Sequence, residues 1–180
     1  FTAQPSWAKL IRDAGYATAI AGKWHCGAKE AWESVVGFDE YCLWESPGKI
    51  ESQFGTNPIT TGQRDDVTLP DTRYWYPSMV QNGHYVPVDK KDFGPDKRLE
   101  FLLNFVEQKT REKQPFLAYW PTVIPHGPYS TTPDHGDVLD IEQEKPDTAG
   151  MQRDQKLEVM NQYEQERQQR FIHLIEHLDK

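Results

Sequence analysis

Two short stretches carry side chains that could do chemistry together. Lys23 and His25 sit in Gly22-Lys23-Trp24-His25-Cys26-Gly27, and His126 sits in Pro125-His126-Gly127-Pro128. A lysine ammonium is a compact positive charge on a flexible stem, suited to holding an anion. A histidine titrates near neutral pH, so it can take a proton in one step and return one in another. The set suits a reaction in which an oxyanion is held, a nucleophile loses a proton and a leaving oxygen gains one. Taken alone, Lys-x-His also describes a surface lysine beside a packed histidine, and a histidine in a proline-rich loop can be idle. His84 and His135 read as surface residues or as contacts to a substrate.

Two further patterns involve metal chemistry. His173-Leu174-Ile175-Glu176-His177 matches H-x-x-E-H, where imidazoles one helical turn apart could bind zinc while the glutamate activates water. That is a zinc-peptidase reading through His173 and His177, and an ordinary amphipathic helix explains the same spacing. Asp65-Asp66 is the one Asp-Asp pair, but it follows the polar Thr60 to Arg64 rather than a strand, so it is not read as a metal site.

The elements that must position these residues follow α/β grammar. Trp7, Leu10, Ile11 and Ala14 fall on the stripe of an amphipathic helix, with Pro5 in its first turn and Gly15 as its stop. Thr18 to Ala21 is a short, small, apolar run expected to be a buried strand, and it delivers Lys23 into a glycine-flanked loop. Residues 43 to 92 read as an irregular surface insertion containing one hairpin, Met79 to Val86, turned at Asn82-Gly83. Leu99, Leu102, Leu103 and Val106 predict a helix from Pro95 to about Glu112, and Phe116 to Trp120 a second buried strand. It opens into a loop with Pro121, Pro125, Pro128 and Pro133, and a long polar helix follows from about Met151. That helix gains an apolar face at Phe171, Leu174, Ile175 and Leu178. Two loops that follow strands of one sheet are where ligands of open α/β sheets bind, so Lys23 and His126 are expected to approach one small space.

Composition narrows the ligand class. The 180 residues carry a net charge of −8, which disfavours nucleic acid and leaves only local cations to hold an anionic substrate. No apolar run approaches the length of a membrane span. Cys26 and Cys42 are too few for a disulfide scaffold, and whether they pair is not decided by spacing.

The run from Leu10 to Gly27 resembles the signature of the type I sulfatases, in which a helix ending Ala-Gly-Tyr leads through a strand to Gly-Lys-Trp-His-x-Gly. Gly37-Phe38-Asp39-Glu40-Tyr41, the Asn82-Gly83 region, and Phe116 to Tyr119 followed by Pro125-His126-Gly127-Pro128 resemble later family segments in the same order. The resemblance implies an alkaline-phosphatase-like sandwich of helices around a central mixed sheet, incomplete in this chain. It implies a sulfuric ester hydrolase acting on a sulfate ester, a sulfated carbohydrate above all. Lys23 would contact the sulfate and the nucleophile's hydroxyl, His25 would take a proton from the hydrated formylglycine, and His126 would hold a sulfate oxygen or protonate the leaving alcohol.

The same resemblance implies parts that residues 1–180 do not contain. No Cys or Ser here stands in Cys/Ser-x-Pro-x-Arg, the motif oxidised to formylglycine, and the ligands of the divalent cation, Ca2+ by resemblance, belong to other segments. The chain is therefore expected to be an internal part of a sulfatase catalytic domain, inactive alone, from a secreted, periplasmic or lysosomal protein. Two neighbouring readings stay open: a sulfatase-like domain that binds glycans without turnover, and a phosphonate or phosphate ester hydrolase of the same superfamily.

Overall fold

The computed structural model describes residues 6–24, 36–44, 73–136 and 145–180; His25, Cys26 and Asp65-Asp66 lie outside them. The chain forms two compact units, Phe1–Val123 and Ile124–Lys180.

In the first unit, helix α1 spans Trp7–Asp13. Ser6 caps it, its side chain accepting the Lys9 N–H at 3.0 Å while its hydroxyl donates to the Val36 carbonyl. Gly15, at φ +95°, stops it: its N–H reaches Arg12 O at 2.8 Å and the Tyr16 N–H reaches Ile11 O at 3.4 Å, the paired bonds of a Schellman close. The face that packs is not the predicted one. Ala8 is the buried residue of α1, whereas Trp7 and Leu10 are exposed. The capped end and the close pass of Gly37 against the Lys9 backbone present the small Ala8 to the core.

Five strands follow: β1 Ala17–Gly22, β2 Glu40–Trp44, β3 Met79–Gln81, β4 His84–Tyr85 and β5 Phe116–Tyr119. They form one mixed sheet in the order β4-β3-β2-β1-β5, with β1 parallel to both its neighbours and β2-β3-β4 antiparallel. Every residue of β1 is buried because both faces are covered. Its period-two alternation sends Ile20 toward Ala8, Phe38 and Leu43, and Ala17, Ala19 and Ala21 toward Leu102 and Phe105 of helix α2, Gly94–Glu112. The three alanines let α2 lie close on the sheet. This is the α/β sandwich expected.

Strand β2 is not foreseen by sequence pattern, and its clamp is specific. Thr18, wholly buried, donates from Oγ1 to Gly37 O at 2.8 Å, while its N–H is accepted by Asp39 Oδ2 at 2.9 Å. The Asp39 N–H in turn reaches Thr18 O at 3.0 Å. The Gly-Phe-Asp segment thus docks β2 on β1 and sets their register.

The reading of 43 to 92 as a surface insertion fails for its described end. Residues 73–80 are buried, with Tyr74 and Trp75 against Phe93 at ring-centre distances of 5.9 and 4.9 Å. The Asn82-Gly83 hairpin is present as expected. On α2, Leu102 and Phe105 face the core, but Leu103 is 58% exposed and Arg98 is 1% exposed. Inside, the Arg98 Nη2 donates to Arg73 O at 2.9 Å. Cys42 is a buried free thiol, its pKa pushed up to about 11 by burial.

The second unit joins the loop from Ile124 to helix α3, Arg153–Leu178. Tyr129 packs edge-on against Phe171 at 5.7 Å, Arg167 lies over Tyr129, and Leu174 is fully buried. No described helix is long and apolar enough to cross a membrane.

Candidate functional site

Lys23 leaves the sheet where three strands bring their ends together. Gly22, at φ +139°, pairs with Leu43 across the β1–β2 ladder, and its backbone runs so close to the loop after β5 that a Cβ would stand 2.1 Å from Pro121 O. Only glycine fits. The Lys23 N–H then donates to that same Pro121 carbonyl at 2.8 Å. One residue past the paired stretch, the Lys23 ammonium sits over the Trp44 ring, with Nζ 5.5 Å from its centre, and the Arg73 guanidinium lies 4.9 Å from the same ring. Two cations thus share one aromatic partner at the end of β2. An anion placed there would meet the positive charge of both side chains.

Arg73 and Trp44 are the residues that sequence reasoning missed. Neither stands near Lys23 in the chain, and only the parallel register of β1 and β2 and the buried path of 73–78 bring them to it. Trp24, half-buried, packs against Phe38 at 6.5 Å and anchors the loop on the core. His25 lies outside the described residues.

His126 belongs to the second unit and is exposed. Its Nδ1 lies 2.6 Å from Gly127 O. A carbonyl only accepts, so the Nδ1 proton is donated there, and Nε2 is the nitrogen left for any second proton. His84 is exposed on β4. The H-x-x-E-H pair does not act as a pair: His177 Nδ1 turns to Asp134 Oδ2 at 2.9 Å, whereas His173 stacks on His135 at 3.9 Å. Lys180 also binds Asp134, and together the lysine and the histidine hold its carboxyl at about 2.

The family model for sulfatases matches residues 2–171. The chain belongs to the sulfatase family. Dog N-acetylgalactosamine-6-sulfatase is 29% identical to it over 133 residues, 69% of this chain and 23% of that protein. Rat arylsulfatase G is 31% identical over 147 residues, 70% of this chain and 26% of that protein. The N-acetylglucosamine-6-O-sulfatase of Bacteroides thetaiotaomicron is 25% identical over 132 residues, 73% of this chain and 18% of that protein. This sulfatase chain thus spans about a quarter of the length of the curated relatives it matches. A protein solved in complex with its substrate D-glucosamine-2-N,6-O-disulfate has a TM-score of 0.48 to it at 23% identity, covering 73% of this chain and 21% of that one.

Membership implies, in general, a formylglycine nucleophile and a divalent cation. Among the described residues, the one cluster of His, Cys, Asp and Glu close enough to hold an ion is His135, His173 and Glu176. Two imidazoles and one carboxylate do not fit calcium, which takes six to eight oxygens. That cluster therefore does not supply a calcium site.

Proposed function

We propose that the protein hydrolyses sulfate esters of carbohydrates, with 6-sulfated amino sugars, for which several relatives are named, as its first candidate substrates. The observation that carries this reading is the placement of Lys23 at the joint ends of β1, β2 and β5, beside Arg73 and tied to Pro121. Lys23 balances the sulfate charge, which changes most at the bridging oxygen as the S–O bond breaks. His25 takes a proton from the attacking side. His126 gives one, from Nε2, to the leaving sugar oxygen, its ring oriented by the Nδ1 bond to Gly127. The formylglycine and a calcium ion on other segments would supply the nucleophile and further charge, in a secreted, periplasmic or lysosomal setting.

The test is turnover of N-acetylglucosamine-6-sulfate and N-acetylgalactosamine-6-sulfate by the full-length protein and its Lys23→Ala variant. Sulfate release that falls roughly 10²–10³-fold in the variant supports the reading, that being the usual cost of one charge-stabilising group. Tight binding of both sugars without sulfate release would make this a glycan-binding domain instead, and release of phosphate in place of sulfate from matched esters would move it to the phosphoesterases.

A further inference from the structure

We propose that His135, His173 and Glu176 form a binding site for a borderline transition-metal dication, zinc foremost, on the second unit. His173 and Glu176 stand three residues apart on α3, so they share one face of the helix. His135 reaches them from a turn closed by its own N–H to Thr132 O at 3.0 Å. One ligand atom from each of the three residues lies within 4.8 Å of the others. The two rings stack with centres 3.9 Å apart and planes 9° apart, and His135 Nε2 lies 3.8 Å from Glu176 Oε2.

The surroundings favour a ligand role. Thr132 is fully buried, and its hydroxyl lies 3.2 Å from His135 Nδ1. A ring proton donated to it leaves the Nε2 lone pair facing Glu176, the way ligating histidines are ordinarily oriented. A neutral imidazole is the form that binds a metal. Two imidazoles and one carboxylate match zinc and exclude calcium and magnesium, and they leave a fourth position to water.

The geometry also states what binding must do. Donors around one tetrahedral zinc, at about 2.0–2.2 Å from the ion, stand roughly 3.3–3.5 Å apart, so the cluster has to close by about 1.5 Å at its widest. In-plane lone pairs of parallel rings do not meet at a point, so the stack has to splay. His135 and His173 are half-buried and Glu176 is exposed, and the Gln169 side-chain amide, 2.8 Å from His173 Nε2, has to give way if that nitrogen is the ligand. The ion would clamp the turn at Thr132–His135 onto α3. This site differs from the H-x-x-E-H pattern: Glu176 is a ligand rather than a base, and His177 is engaged with Asp134.

The test uses the chelator-treated full-length protein, titrated with zinc chloride in a calorimeter, and needs no turnover. The expected result is one zinc per chain in excess of any bound elsewhere, weakened at least roughly 10–100-fold by His135→Ala, His173→Ala and Glu176→Gln, and unchanged by His177→Ala. Calcium chloride should not displace it. Circular dichroism confirms that each variant keeps its helices, and if His173→Ala unfolds, the exposed Glu176→Gln decides. Zinc affinity indifferent to His135→Ala and Glu176→Gln, affinity lost in His177→Ala, or no zinc bound at all overturns the site.

Discussion

The Lys23 ammonium lies over the indole of Trp44, 5.5 Å from the ring centre, because the parallel register of β1 and β2 ends both strands at the same level. A cation held on an aromatic face is worth about 0.5–2 kcal/mol, so Trp44→Leu should lower kcat/KM for a sulfate ester by roughly 2–30-fold. In a Lys23→Ala background the same substitution should cost little, since its effect runs through the lysine. A double-mutant cycle measures that coupling. Additive losses would mean that Trp44 contacts the substrate by itself.

His126 should matter in proportion to how badly the leaving oxygen needs a proton. A sugar alkoxide is strongly basic and a nitrophenolate is not. His126→Ala should therefore slow a sugar sulfate by about 10²–10⁴-fold and a nitrophenyl sulfate far less. Lys23→Ala should impair both, because both present the same sulfate. Equal losses in His126→Ala would assign the residue to sulfate binding.

Two glycine substitutions should separate strain from collision. Gly15→Ala meets nothing within 4 Å and suffers only from its positive φ, about 1–2 kcal/mol. Gly22→Ala adds a Cβ 2.1 Å from Pro121 O to the same kind of strain, which raises the expected cost to roughly 2–6 kcal/mol. Urea midpoints of the two variants give the comparison. A Gly22→Ala protein as stable as Gly15→Ala would mean that the two strand ends part easily.

Asp134 provides a pH signature. Lys180 first, then His177, hold its carboxyl at about 2, below its ordinary 3.8. A depressed folded-state pKa stabilises fully above about 3.8, and the contribution is lost as pH falls through about 2. Its carboxyl titration by NMR should show a midpoint near 2 that moves toward 3.8 in Lys180→Ala and, less, in His177→Ala. The pair is exposed, so added salt should move it the same way.

The parts legible in sequence were those that local chemistry dictates. Thr18 to Ala21 announced a buried strand by its small apolar run, Gly15 announced a helix stop, and Asn82-Gly83 announced a hairpin. Glu40 to Trp44 stayed hidden because a strand covered on both faces shows no alternation. The stripe on α2 misled in two places: apolarity picked Leu103, which is exposed, and passed over Arg98, which is buried and donates to Arg73 O. Lys23 and the flanking glycines could be read directly. That Trp44 and Arg73 stand beside Lys23, and that His135 rather than His177 accompanies His173, depends on strand register and on the path of a turn, and spacing along the chain encodes neither.

The central position of β1 also sets a timetable. Its partner β2 begins about twenty residues after it, but its other partner pairs Ala17 with Phe116, about a hundred residues later. At roughly 5–20 residues per second of synthesis, one side of β1 waits about 5–20 s for its neighbour. During that interval its unpaired N–H and C=O groups are open to the wrong strand. The alanines that let α2 lie close thus acquire a second consequence: with Ala17, Ala19 and Ala21 in place of valine or isoleucine, the waiting edge is a poor template for aggregation while the nascent chain is still unfinished.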